Sequence, residues 1–312
     1  MQKLIVVFIL LLALCLGACA PTPPQTQGEE KLCVVDDLGR SVTFFDTPCR
    51  VACLLGSFAD LWALSGGEVC ATTSDAWENS SLALSDAVNL GGAHSPSLEL
   101  LLSAEPDLVL ASTSTASHLA MRETLEQLGI ATLYFDIDSF EDYLAMLDVC
   151  TALTARRDLY EQNGVRLAEG ISALKQEYSK QNFTFEKKIL LLRTSSTGVK
   201  VKGSEGTVLG EMLADYGTEN IADSNSALLE SLSLEAILAE DPYRIFVVTM
   251  GDDPSLALEV FDRLIEENPA WASLSAVREG RVHFMDKALF HQKPNARYLE
   301  AYEALYEILT SK

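Results

Sequence analysis

The chain has 312 residues, 48% of them hydrophobic, so it can bury the core of one large domain or of two ordinary ones. It is too apolar to be intrinsically disordered. Its formal net charge is −22, and no basic stripe interleaved with aromatic residues offsets that charge. Because such a chain repels polyanions, nucleic acid is excluded as an expected partner. Solubility is the simplest reason for the acidity, which would also steer a cationic docking surface.

The N-terminal segment has the pattern of a secretory signal. A basic residue, an apolar run over 4–14 and small residues follow one another, and residues 16–19 then read Leu-Gly-Ala-Cys. The last four resemble the lipobox of bacterial lipoproteins, in which the cysteine is lipidated and begins the mature chain. We therefore predict a signal peptide over 1–18, and a lipidated Cys19 with a polar, Pro-rich tether over 19–31. The alternative is an ordinary signal peptide with a chance cysteine.

Five further cysteines follow the tether, an odd number, so at least one thiol must stay unpaired. Their spacing contains neither a Cys-x-x-Cys nor a finger-type pattern, which supports neither a redox motif nor a structural zinc site. Cys53 and Cys70 lie in apolar, strand-like runs and are predicted to be buried. The sequence leaves open how the five pair: they are Cys33, Cys49, Cys53, Cys70 and Cys150.

After the tether, the predicted elements begin with a hairpin, in which an Asp-Leu-Gly turn separates two β-rich runs. A strand, a glycine-terminated helix and another strand follow with short links. That β-α-β order predicts a parallel sheet, and the same order resumes in the last third of the chain. The pattern predicts two Rossmann-like α/β lobes with mainly parallel sheets, over 32–139 and 183–312.

Between the predicted lobes, residues 140–178 show helical spacing without proline. A single helix of that length would be about 55 to 60 Å long at 1.5 Å per residue. Gly164 and Gly170 weaken it by about 1 kcal/mol each relative to alanine, so two abutting helices are the alternative. We predict one long connecting helix over 140–182.

One short segment occurs twice, once in each predicted lobe. Residues 97–111 read SLELLLSAEPDLVLA, and residues 233–248 read SLEAILAEDPYRIFVV. Glu99 and Glu235 stand at the same distance from the proline of their copy. We interpret each copy as a helix that the proline ends, followed by a buried strand. The predicted N-caps of the two helices are Ser95 and Ser231, with Pro96 in the first helical turn.

In their order and spacing, these segments resemble the substrate-binding lipoproteins of bacterial ABC importers for iron-siderophores, haem and cobalamin. The resemblance covers nearly all of the mature chain. It implies two α/β lobes joined by one long helix, with a ligand cleft between the lobes at the carboxyl ends of the strands. The segments that carry it are Asp37-Leu38-Gly39-Arg40, Arg50-Val51, residues 95–109, Ser233-Leu234-Glu235 with Pro242, and Lys293-Pro294-Asn295-Ala296-Arg297.

The resemblance implies a binding protein anchored on the outer face of the cell membrane. Such a protein captures a metal chelate, here a ferric siderophore with haem or cobalamin as the alternative, and delivers it to an ABC permease and its ATPase. It carries out no catalysis and holds no resident cofactor, and we expect a monomer. Glu99 and Glu235 are then predicted to contact the permease. The alternative is that both serve their helices alone, since the helix dipole favours a first-turn glutamate by about 0.3 to 1 kcal/mol.

Five residues are predicted to contact the ligand. Arg193 ends an apolar strand and, with Lys202, suits the anionic groups of a chelate, although both also suit a solvated hairpin. Trp77 suits stacking on a flat chelate or anchoring its own loop. His94 and His291 suit contacts with metal or ligand oxygens, but a lone histidine is more often a structural residue, as predicted for His118 and His283.

Two other classes stay open. A receptor for free zinc or manganese ions would need histidine and carboxylate ligands that converge at about 2.0 to 2.2 Å, and the chain has four histidines. A lipid-anchored α/β hydrolase or a two-lobed metalloenzyme is more distant. The sequence has no Gly-x-Ser-x-Gly elbow, no His-Glu-x-x-His motif and no phosphate-binding loop.

Overall fold

A computed structural model describes residues 32–78, 81–181, 187–250 and 254–311. The predicted signal peptide, Cys19 and the tether lie outside the described residues. The strands are β1 (Leu32–Val35), β2 (Ser41–Phe44), β3 (Val51–Cys53), β4 (Val69–Thr72), β5 (Val88–Asn89), β6 (Leu108–Ser112), β7 (Ala131–Phe135), β8 (Lys188–Ser195), β9 (Gly198–Lys202), β10 (Glu219–Asn220), β11 (Arg244–Thr249) and β12 (Val282–Met285).

Helices alternate with these strands in both halves of the chain. Short 3-10 turns supplement them at Ser74–Glu78, Pro269–Ser273 and Asn295–Arg297. The helices are α1 (Gly56–Leu64), α2 (Leu98–Ser103), α3 (Ala116–Gln127), α4 (Phe140–Leu153), α5 (Arg157–Tyr160), α6 (Arg166–Lys180), α7 (Val208–Asp215), α8 (Ala227–Glu230), α9 (Leu234–Glu240), α10 (Pro254–Glu267), α11 (Ser275–Arg278), α12 (Lys287–Phe290) and α13 (Tyr298–Thr310).

The two lobes are built on sheets of related topology. In the N-terminal lobe the strand order is β5-β4-β3-β6-β7, and every neighbouring pair is parallel. In the C-terminal lobe the parallel order is β10-β8-β11-β12, with β9 antiparallel to β8. The predicted fold class, two α/β lobes with mainly parallel sheets, is confirmed.

The predicted hairpin forms, as a separate two-stranded sheet of β1 and β2. Gly39 supplies the positive φ of 74° that its turn requires. Arg40 anchors the hairpin to β7, because its guanidinium donates to the Asp36 carboxylate and to the Thr132 carbonyl and lies 4.8 Å from the centre of the Tyr134 ring. The Asp37–Arg40 motif therefore has a structural role.

The prediction that Ser95 and Ser231 cap the repeated helices is wrong. The caps are the serines two residues later, Ser97 and Ser233, whose hydroxyls accept backbone N–H groups at 3.3 and 3.4 Å. An N-cap must directly precede the first helical residue, and α2 and α9 start after these two serines. Pro96 accordingly lies before α2 rather than in its first turn.

The range predicted as one connecting helix, 140–182, is divided in the structure, and the helical segment that joins the lobes starts at Arg157. Helix α4 stops because Ala155 takes a left-handed φ of 55°. The N–H groups of Ala155 and Arg156 donate to the carbonyls of Ala152 and Thr151, which is a Schellman termination without glycine. The joining segment then runs through α5, a π-helical turn over Glu161–Val165 and α6.

The two glycines of this region do not break the helix. A Cβ on Gly164 would lie 3.1 Å from the Leu144 side chain, and a Cβ on Gly170 would lie 2.9 Å from Leu299. Both glycines therefore allow close packing, one against α4 of the N-terminal lobe and the other against α13.

A continuous hydrophobic core connects the lobes. It runs from β3 and β7 through α4 and α13 to β8 and β11, and its members include Val51, Leu133, Tyr143, Tyr298 and Leu191. Two smaller clusters stay within one lobe each. Packing as well as chain connectivity therefore holds the lobes together.

All five cysteines of the described chain are free thiols. Cys53 is fully buried, as predicted, whereas Cys70 is only half-buried because it lies near the start of β4. In the described part of the chain, no helix combines the length and the apolar character needed to cross a membrane.

Candidate ligand-binding site

The described residues form a cavity of about 140 Å³ where the two lobes meet. The C-terminal lobe supplies most of its lining, which includes residues of β8 and β11 toward the carboxyl edge of the sheet, the edge at which open α/β sheets bind ligands. Asp138, which follows β7, is the lining residue of the N-terminal lobe. The other polar lining residues are Arg193, Lys202, Thr207, His291 and Lys293, and the apolar ones include Leu191, Leu209, Val248 and Phe290.

Strand register places two of the cations on one face. In the antiparallel pair of β8 and β9, Leu191 lies opposite Lys202 and Arg193 lies opposite Lys200. Because side chains alternate between the faces of a sheet, Arg193 and Lys202 share the face of Leu191. That face forms one wall of the cavity.

Three cations in this lining have no partner within the part of the chain that the structure describes. Among the described residues, the side-chain nitrogens of Arg193, Lys202 and Lys293 make neither an ion pair within 4.0 Å nor a hydrogen bond. Asp138 is the one carboxylate in the lining of the described cavity. The cavity is thus electropositive, although the whole chain carries a formal net charge of −22.

Burial and mutual repulsion perturb the titration of these groups. Burial, followed by the charges of Arg193 and Lys293, lowers the pKa of His291 to about 4, so its imidazole is neutral at pH 7. Burial and the Arg193 charge likewise lower the pKa of Lys202. Burial also lowers the pKa of Lys293, and Asp138 opposes that shift. Unpaired cations that destabilise one another in a cavity are suited to an anionic ligand.

The start of helix α7 adds to this positive potential. Thr207 caps the helix by accepting the N–H of Gly210 at 3.2 Å, and Thr207, Val208 and Leu209 line the cavity. A helix N-terminus carries about half a positive charge. Gly210 is required here, because a Cβ at this position would overlap the carbonyl oxygen of Ser204.

The structure brings together three of the five predicted ligand residues, Arg193, Lys202 and His291. It does not bring Trp77 or His94 to this cavity. Trp77 is 41% exposed on the 3-10 turn after β4, and His94 is exposed in the loop after β5. Both therefore belong to the carboxyl edge of the N-terminal sheet.

Sequence reasoning missed two polar residues of the cavity. Lys293 lies in the segment Lys293–Arg297, which carries the resemblance but contains no pattern specific to ligand binding. Asp138 lies in the short link between an apolar strand and a helix, a position at which polar residues of parallel sheets meet ligands. That second signal was available in the sequence.

The remaining histidines lie outside the cavity. His118 is fully buried, with Nδ1 accepting the Ser112 N–H at 3.1 Å and Nε2 lying 2.9 Å from the Ala93 carbonyl oxygen. His283 packs against the Phe246 ring at 5.3 Å. Within the described ranges, no three His, Cys, Asp or Glu side chains come close enough together to hold a metal ion.

The two predicted docking residues are exposed on different lobes. Glu99 lies in the first turn of α2, and Glu235 lies in the first turn of α9. Neither carboxylate has a hydrogen-bond or ion-pair partner in the described part of the chain. Both are free to meet another protein.

Comparison with known proteins identifies the family to which this two-lobed architecture belongs. The model of the periplasmic binding protein family matches residues 51–289, which include both parallel sheets and the cavity residues from Asp138 to Val248. The chain belongs to the periplasmic binding protein family. The match spans both copies of the repeated segment, so the binding protein carries its paired glutamates within the family's own fold.

Individual relatives share only 15 to 26% sequence identity with this chain. The binding protein is 26% identical over 308 residues to YhfQ of Bacillus subtilis, provisionally named an ABC transporter substrate-binding lipoprotein, and the alignment covers 93% of this chain and 92% of YhfQ. The petrobactin-binding protein YclQ of Bacillus subtilis superposes with a TM-score of 0.70 at 17% identity, over 91% of this chain and 100% of YclQ. Staphylococcus aureus IsdE, solved with haem, superposes with a TM-score of 0.69 at 15% identity, over 84% and 99%.

Proposed function

We propose that this binding protein is the extracytoplasmic receptor of an ABC importer and that it captures an anionic ferric siderophore. The observation that carries this proposal is the set of unpaired cations, Arg193, Lys202 and Lys293, in a cavity between the lobes. Relatives with the same fold include proteins described as binding petrobactin and haem. The protein itself carries out no catalytic step.

The charge of the cavity lining distinguishes among the possible cargoes. The three cations outnumber Asp138, and His291 is neutral, so the lining attracts a chelate with a net negative charge. Catecholate and carboxylate complexes of Fe³⁺ have such a charge, and guanidinium and ammonium groups bind their oxygens with charge-assisted hydrogen bonds. A free metal cation would be repelled by the same lining. Haem, with its two propionates, is the alternative cargo.

The proposed delivery of the cargo to the permease rests on the predicted lipid anchor, the tether and the two exposed glutamates. Lipid attached to Cys19 would hold the protein at the outer face of the membrane, with residues 19–31 as a tether. Glu99 and Glu235, one on each lobe, would dock onto basic residues of the permease, whose ATPase drives import. The receptor would act as a monomer, since one chain supplies both docking glutamates.

The test is a titration of the detergent-solubilised full chain against ferric petrobactin, a ferric carboxylate siderophore, haem, cobalamin, Fe³⁺, Zn²⁺ and Mn²⁺. Intrinsic tryptophan fluorescence reports binding. We expect saturation by at least one anionic ferric siderophore and none by the free ions. Saturation by a free ion alone, or by cobalamin alone, would overturn the proposal.

Anchoring has a separate test. Cys19→Ser should move the protein from the membrane fraction to the soluble fraction, because the thiol that accepts the lipid is gone. Fractionation of cells followed by immunodetection measures this. Retention of the Cys19→Ser variant in the membrane fraction would contradict the lipid anchor.

A further inference from the structure

A short segment connects the cavity to the opposite lobe. His291 and Lys293 line the cavity, and Asn295 follows them in the chain. The Asn295 side-chain amide donates to the Ser57 carbonyl oxygen and to the Asp60 carboxylate, both at 2.8 Å. Ser57 and Asp60 lie in the first turns of α1, in the N-terminal lobe. A polar contact between the lobes is therefore adjacent in sequence to two residues of the cavity.

Asn295 is held in an unusual state. Its φ is 50°, in the left-handed region that asparagine tolerates better than most residues with a side chain. It is 1% exposed, and its Oδ1 has no hydrogen-bond partner among the described residues. A buried residue with a left-handed backbone and an unpaired acceptor persists only where its surroundings hold it in place. Here the two bonds to α1 do so.

A second contact joins the lobes beside the same cavity. Tyr298 donates its hydroxyl to the Ser139 carbonyl oxygen at 3.0 Å, and Ser139 directly follows Asp138. The Tyr298 ring packs against Phe140 at 5.1 Å and Tyr143 at 5.3 Å. The residues that follow the cavity lining on each lobe are thus bonded to the other lobe.

We propose that Asn295 is a positioning residue that fixes residues 291–295 against α1, sets the separation of the two lobes, and directs Lys293 and His291 toward the cavity. The structural part of this inference is independent of any cargo. Its consequence for binding rests on the proposed function, since Lys293 is among the cations that attract the chelate.

Hydrogen–deuterium exchange on the full chain without cargo provides the test. Asn295→Asp places a carboxylate 2.8 Å from the Asp60 carboxylate. We expect amide exchange in residues 57–60 and 291–297 to become about tenfold faster or more, because two hydrogen bonds are replaced by repulsion. Adding Asp60→Asn to Asn295→Asp replaces the repulsion with an amide–carboxylate hydrogen bond. It should restore most of the protection.

A second readout follows the position of Lys293. Acetic anhydride labelling, quantified by mass spectrometry, should modify Lys293 faster in Asn295→Ala than in the unmodified chain, because the lysine turns out of the cavity. Exchange in β11 should stay unchanged, whereas a general loss of stability would speed exchange throughout.

Two matched variants make the outcome decisive. Asn295→Gly keeps the left-handed backbone but removes the amide, so it should behave like Asn295→Ala. Gln292→Ala alters a half-buried neighbour outside the cavity lining and should change neither readout. Unchanged exchange and labelling in Asn295→Ala would overturn the proposal, as would a failure of Asp60→Asn to restore protection. Because no cargo is used, either result is separable from failure of the proposed function.

Discussion

The two lobes contain the same helix–strand unit at equivalent positions in their sheets. In each unit the second residue after the exposed glutamate is fully buried, Leu101 in one lobe and Ile237 in the other. The helix then ends on an acidic residue in left-handed conformation, Glu105 at φ 48° and Asp241 at φ 40°, directly before the proline. The strand that follows, β6 or β11, pairs with the first parallel strand of its lobe.

The lobes differ in what they contribute to the cavity. The C-terminal lobe supplies Arg193, Lys202 and Lys293, whereas the N-terminal lobe supplies Asp138. None of these four residues belongs to the repeated unit. The repeat therefore builds equivalent helix–strand units with one exposed glutamate on each lobe, and residues outside the repeat determine the charge of the cavity.

The largest expected effect concerns the paired glutamates. Glu99→Ala with Glu235→Ala should abolish cargo uptake by cells and leave cargo affinity unchanged, because both carboxylates lie outside the cavity. The two single variants measure whether the lobes dock equally. Glu141→Ala, another exposed first-turn glutamate, should leave uptake unchanged. Loss of affinity in the double variant would contradict a docking role.

The equivalent core positions provide the next test. Leu101→Ala and Ile237→Ala should each lower the free energy of unfolding by about 2 to 5 kcal/mol, because each leaves a cavity in a closed core. Denaturant titration measures the change. Leu100→Ala, at a residue that is 41% exposed, should stay within about 0.5 kcal/mol. A large loss from one core variant and none from the other would show that the units are not energetically equivalent.

The difference in charge predicts opposite effects on affinity. Arg193→Ala should weaken binding of the ferric chelate by about tenfold to a hundredfold, since a hydrogen bond to a charged group contributes about 1.5 to 3 kcal/mol. Asp138→Asn should strengthen it, because a negative charge leaves the cavity. Lys200→Ala, on β9 but outside the cavity lining, is the control. Fluorescence titration distinguishes the three, and equal losses in Arg193→Ala and Lys200→Ala would argue for non-specific attraction.

The smallest expected effect on stability tests whether Ser97 and Ser233 are the N-caps of α2 and α9. Ser97→Ala and Ser233→Ala should each lower the free energy of unfolding by about 1 kcal/mol, because a backbone N–H loses its acceptor. Ser95→Ala and Ser231→Ala should change it by less than about 0.5 kcal/mol. Thermal unfolding of the four variants measures this difference. A larger loss of stability in Ser95→Ala and Ser231→Ala than in Ser97→Ala and Ser233→Ala would favour Ser95 and Ser231 as the caps.

Local sequence patterns predicted most of the elements. Alternating strands and helices predicted the two lobes, and the repeat predicted equivalent units, because both depend on periodicity within one element and on the residues that end it. Local patterns were less reliable at helix ends. Ala155 ends α4 without a glycine, and Gly164 and Gly170 pack inside helical segments where a break had been considered. Backbone conformation decided the outcome at Ala155, and close packing decided it at the two glycines.

The site depended on contacts between residues distant in the chain. The sequence by itself determined the fold class, the exposed Glu99 and Glu235, and three members of the cavity, because strand ends and helix starts are local features. Only the tertiary structure joined Asp138 to Lys293, left Trp77 outside the cavity, and placed the Asn295 amide on the Asp60 carboxylate. The physical reason is that a side chain's electrostatic environment is set by groups within a few ångströms in space, and their separation in the sequence does not specify that distance.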